Sequence, residues 1–118
     1  SKKVMKYAVY CLRLSGYLGK NITSPKLLKV GISKNSANYR LEMNSRFEGN
    51  NSYRSLFENV EILAEKPFNS KEQAEEYENE ILNFIGSKDC GIYEKVKGVT
   101  ELRTWNQVRE NKILQLLS

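Results

Sequence analysis

The stretch AEEYENEILNFI, Ala74 to Ile85, reads as an amphipathic helix with one residue out of place. Ala74, Tyr77, Ile81, Leu82 and Ile85 recur at helical spacing and form one apolar stripe. At about 100° per residue Glu78 falls inside that stripe, whereas Glu76 and Glu80 fall on the solvent side and Glu75 flanks it. A carboxylate is costly to bury unless a partner or a cation meets it. Ser70-Lys71-Glu72-Gln73 is a capping box that opens this helix, and Gly86 is a suitable stop for it. The helix needs a sheet to pack against, and its inward glutamate needs a reason.

Working outward from it, VMKYAVYCLRL (4–14) is apolar at both parities and rich in β-branched and aromatic residues, as in a strand covered on both faces. SGYLGKNITSPK (15–26) reads as a loop. LLKVGIS (27–33) is a second strand, with Leu28, Val30 and Ile32 on one face and Leu27, Lys29 and Gly31 on the other. SANYRLEMNSRF (36–47) suits a short helix capped by Ser36, and EGNNS (48–52) is a turn. VEILAE (60–65) alternates as a third strand, closed by Pro67. CGIYEKVKGVTELR (90–103) reads as loop with one or two short extended pieces. A second capping box, Thr104-Trp105-Asn106-Gln107, leads into a last helix to about Leu117. The order predicts an α+β fold: a small three-stranded sheet, mixed or antiparallel, flanked by helices, with an additional C-terminal helix. A single domain, 1–118, is expected, its core over about 5–85 and its C-terminal extension over 86–118.

The chain has 118 residues, 40% apolar and 28% charged, ordinary values for a globular domain. No apolar run approaches the roughly 20 residues of a membrane span, so no membrane partner is expected. No secretory n-region and h-region opens it, and a start at Ser1 reads as a processed end or a cloning remnant. Two cysteines, Cys11 and Cys90, are too few for a disulfide framework; reduced thiols in a cytoplasmic protein are the expectation. The chain has no histidine, which excludes Ser-His and Cys-His nucleophile pairs, a histidine general base and ordinary zinc hydrolase sites. Residues 1–46 hold ten Lys/Arg against one acid, Glu42, a charge of +9 that leaves −4 for the remainder. A basic half of this kind fits a polyanion such as nucleic acid, or else a set of scattered solvated lysines.

The blocks AVY (8–10), KVGIS (29–33), Arg40-Leu41 and AEEYENEIL (74–82) resemble, in order, those of GIY-YIG nucleases, most closely the small phage and bacterial branch whose second block runs K-[IV]-G-I-[ST]. The resemblance covers about residues 5–85. It implies a divalent-metal-dependent endonuclease that hydrolyses DNA phosphodiesters in a single displacement, with no covalent intermediate. The implied cofactor is Mg²⁺ (or Mn²⁺), and the implied partner is DNA, with RNA as the alternative. The protein would act as a monomer or homodimer in the cytoplasm of a bacterial or phage-infected cell, encoded by a phage or mobile element. By the same resemblance Tyr10, Lys29, Arg40 and Glu78 are the catalytic positions, with Glu78 the metal ligand, and Gly31, Tyr7 and Asn44 are positioning residues. The literal GIY at 91–93 follows the glutamate helix and is a coincidence. Departures from the family pattern are a longer first loop, Asn44 where relatives often carry histidine, and no clear late asparagine. Gly98-Val99-Thr100-Glu101 resembles a G-x-[ST]-E element of the phage branch.

The residue types suit the chemistry without the family. A glutamate on a packed helix offers the hard oxygen that Mg²⁺ prefers. An arginine fork grips a non-bridging phosphate oxygen. Tyr10 or Lys29 is a base for the attacking water if neighbouring cations lower its pKa. Each has a plainer reading: Tyr10 as a core aromatic, Arg40 as a solvated helix residue, Lys29 snorkelling from a sheet edge, Glu78 paired with Arg40. The alternatives for the whole chain are a catalytically inactive nucleic-acid-binding module on this fold and a protein-interaction module.

Overall fold

The computed structural model describes residues 6–18, 25–86 and 101–118. The expectations for the first residues of strand 4–14, the middle of loop 15–26, Cys90, the GIY string and Gly98–Thr100 lie outside the described residues. Among the described residues nine elements are seen: strands β1 (Tyr7–Ser15), β2 (Lys26–Lys34), β3 (Asn59–Phe68) and β4 (Leu102–Thr104); helices α1 (Ala37–Glu48), α2 (Tyr53–Leu56), α3 (Lys71–Phe84) and α4 (Gln107–Leu116); and a 3₁₀ turn at Gly49–Asn51. Among the described residues no helix is long and apolar enough to cross a membrane.

Among the described residues the sheet has four strands in the order β3-β1-β2-β4, every pair antiparallel, which corrects the expected three. β1 is central and buried on both faces, as its two-parity apolar pattern requires. Its even positions Tyr10, Leu12 and Leu14 pack with Leu27, Ala37, Leu41, Tyr53 and Phe57. Its odd positions Val9 and Cys11 pack with Leu28, Val30, Ala74, Ile81, Ile85, Ile113 and Leu117. So α1 and α2 cover one face, and α3 and α4 the other.

The stripe on α3 behaves as its spacing dictates: Ala74, Glu78 and Ile81 are buried while Glu72, Glu75, Glu76 and Glu80 are exposed. Ser70 Oγ accepts from the Gln73 amide, and Gly86, at φ +104°, takes the turn that leaves the helix. Ser36 caps α1 in the same way, through Tyr39 N.

Three local expectations are corrected. β3 runs through Pro67, which sits opposite Ala8; β3 is an edge strand, so a residue without an N–H is tolerated there. The turn at 48–52 continues into α2, a single turn of helix. The last helix is capped by Asn106, whose Oδ1 accepts from Arg109 N, and not by Thr104, which ends β4.

Candidate functional site

Lys29 and Gly31 lie on the α1-facing side of β2, and Gly31 is directly opposite Tyr10 on β1. A cleft of about 210 Å³ opens at this point, lined by Tyr10, Lys29, Ile32, Arg40, Asn44, Tyr53 and Glu101. The absence of a side chain at Gly31 makes the arrangement possible. A Cβ there would lie 2.7 Å from Tyr10 Oη and 3.0 Å from Glu101 Oε2. The Tyr10 hydroxyl therefore occupies the space over the glycine.

Lys29 is 4% exposed, and its Nζ donates to Glu101 Oε2 at 2.9 Å. It also hydrogen-bonds the Tyr53 side chain and stands 5.5 Å from the centre of that ring. Burial lowers its pKa, but the oxygens of Tyr10, Tyr53 and Glu101 outweigh burial and hold it above the usual lysine value. For Tyr10 and Tyr53 burial wins over the pull of Lys29, and both phenols are pushed up. At neutral pH the cleft thus presents an ammonium and two phenols. The base expected at Tyr10 or Lys29 needed a lowered pKa; burial at Tyr10 and ion pairing at Lys29 act in the other direction.

Arg40 is exposed on the first turns of α1 at the cleft mouth, where its Nη2 donates to Ile32 O at 3.3 Å. Among the described residues it forms no ion pair with Glu78. Asn44, one turn on, is buried, and its Oδ1 accepts from Tyr53 N at 2.7 Å. It therefore ties α1 to α2 and fixes Tyr53 against Lys29. Tyr7 lies on the opposite face of β1, packed with the α3-side cluster and away from the cleft.

Glu78 reaches the site from the other layer, and the meeting point is Glu101, just before β4 begins. Glu78 is 9% exposed, and among the described residues its buried Oε2 meets no hydrogen-bond donor. Its contact with Glu101 is carboxyl to carboxyl, which becomes a hydrogen bond only when one of the two carries a proton. Desolvation and then the charge of Glu101 push the Glu78 carboxyl up to about 7, with Lys29 opposing. Glu78 and Glu101 are the carboxylates that a hard cation could use. Among the described residues no group of three or more His, Cys, Asp or Glu converges, but Mg²⁺ commonly takes one or two carboxylates and keeps water on its other positions. The orphaned Glu78 oxygen beside a second carboxylate fits that requirement.

Reading the sequence left out two residues of this group. Tyr53, in SYRSLF, carries no periodic or motif signal. Glu101 is the last residue of the G-x-[ST]-E string, whose resemblance was visible but whose place beside Lys29 was not. Compared with family models, curated proteins and solved structures, the chain matches none.

Proposed function

We propose that the protein is a divalent-metal-dependent endonuclease acting on DNA phosphodiesters in a single displacement. The observation that carries this reading is a cleft beside Gly31 lined by the buried ammonium of Lys29, the guanidinium of Arg40 and the carboxylate of Glu101, with the buried carboxyl of Glu78 against Glu101. These are the groups that phosphodiester hydrolysis needs: positive charge for the phosphoryl oxygens and a hard-cation ligand. Arg40 at the mouth binds a non-bridging oxygen through its fork, and Lys29 supplies a second positive charge from the floor. A phosphate over Lys29 competes with Glu101 for that ammonium, and the released Glu101 carboxylate accepts the proton of the attacking water. The hydroxyls of Tyr10 and Tyr53 orient that water or donate to the leaving oxygen. Glu78, beside Glu101, would hold the divalent ion, which supplies further positive charge to the phosphoryl group.

The test is plasmid cleavage in Mg²⁺ by Glu78→Ala, with circular dichroism and DNA binding as controls. Loss of cleavage by at least 100-fold, about 2.7 kcal/mol, with fold and binding retained, is the expected outcome. Unchanged cleavage sinks the assignment. A second reading, a nucleic-acid-binding module without catalysis, is favoured by the tight Lys29–Glu101 pair, which occupies the ammonium a phosphate would need. It predicts a wild-type protein that binds DNA and never cuts it in Mg²⁺ or Mn²⁺.

A further inference from the structure

The cleft continues along α1. A second depression of about 80 Å³ is lined by Arg40, Met43, Asn44, Phe47 and Glu48, and so shares Arg40 and Asn44 with the first. Its outstanding member is Phe47, an aromatic ring left 75% exposed. Tyr39, Met43 and Phe47 follow one another at four-residue spacing, a ridge about 12 Å long on a helix rising 1.5 Å per residue. Tyr39 is also partly exposed. An exposed phenylalanine alone is unremarkable. This one lies one helical turn beyond a wall of the phosphate cleft, immediately after residues 1–46, whose charge is +9, with Arg46 in the same final turn.

We infer that this ridge is a nucleobase subsite, in which an unpaired base next to the scissile phosphate stacks on Phe47 while Arg40 holds the phosphate between the two depressions. The inference rests on the proposed phosphodiester activity and names its substrate class. A base inside a duplex has both faces covered by its neighbours, so an aromatic platform rewards only a base that has left the stack. The favoured substrate is accordingly a single strand, a flap or a branched DNA, not a blunt duplex. A ligand that spans both depressions must carry an anion and, one step away, a flat apolar face. A nucleotide chain has that alternation.

Binding in EDTA, where cleavage is suppressed, tests it, using fluorescence anisotropy with a labelled oligo(dT) strand and a labelled blunt duplex. Wild type should prefer the strand. Phe47→Ala should weaken strand binding on the order of tenfold and leave duplex binding unchanged, while Phe47→Trp keeps the wild-type preference. Equal strand affinity for wild type and Phe47→Ala overturns the subsite; if Glu78-dependent plasmid cleavage persists in that case, the proposed activity survives without it. Failure of wild type to bind either probe overturns both. A change in sedimentation on Phe47→Ala, with oligonucleotide affinity untouched, assigns the ring to a contact between two copies of the chain and also overturns the subsite.

Discussion

Glu78 keeps a carboxylate where a leucine would pack, and that choice has a consequence in pH. Its folded-state pKa of about 7 lies above the ordinary carboxyl value of 4.5, so between the two the folded chain binds the proton more tightly than the unfolded one. Stability of the metal-free protein therefore falls as pH rises through that window. Calorimetry should show a Tm that drops from about pH 5 to pH 8, and Glu78→Gln should remove that part of the slope. Parallel profiles for the two proteins would dismiss the carboxyl as its source. Gly31 is the other decisive residue. In Gly31→Ala the new methyl must displace the Tyr10 hydroxyl or the Glu101 carboxylate. A stability loss of about 1–3 kcal/mol with a folded spectrum is expected. Cleavage should fall on the order of 100-fold, because the displaced groups form the site. The facing of Lys29 and of Glu78 was legible because strand parity and helical phase fix which way a side chain points, whereas the weak apolar spacing of 36–47 left the face of Arg40 open. The protonation of Tyr10 and Lys29 was not, because it depends on burial and on Glu101, 72 residues from Lys29.

Among the elements, α4 has the most exacting anchor. Arg13 Nη1 on β1 donates to Glu110 Oε1 at 2.9 Å, and Trp105 Nε1 donates to the same oxygen at 2.9 Å. Lys26 Nζ lies 3.7 Å from the centre of the Trp105 ring. Trp105 is thus a packing residue, and Ile113 and Leu117 at the end of the chain belong to the core. Burial opposes ionisation of Glu110, but Trp105 and Arg13 outweigh it and lower its pKa. The stability this gives is present above the ordinary carboxyl value and is lost as pH falls through the lowered one. Glu110→Gln should cost about 1–3 kcal/mol by urea unfolding at pH 7, and much less in acid. An equal cost at both pH values would show that the loss is steric. The long elements were legible because periodicity and caps act within a few residues. β4 was not: three residues with Arg103 at their centre have no alternation, and they form a strand because β2 offers an edge. Pro67 misled for the same reason, since its tolerance depends on β3 being outermost.

For the whole molecule, the two layers divide the work. The α1 face carries Arg40 and the cleft, the α3 face supplies Glu78, and Glu101, just before β4, touches both Lys29 and Glu78. Helix phase therefore showed that Glu78 points inward but not that it meets Glu101. The one-sided charge predicts DNA binding that weakens steeply with salt, and Arg40→Ala should lower the slope of log K against log[salt] by about 1. A slope unchanged in that variant would place the phosphate elsewhere. The most direct measurement is conversion of supercoiled plasmid to nicked and linear forms, followed with and without Mg²⁺ for wild type and for Glu78→Gln, which keeps the shape and removes the charge. Cleavage by wild type only with the metal, and none by the variant at equal DNA binding, is the predicted result. Metal-independent cleavage, or equal cleavage by the two proteins, would contradict it.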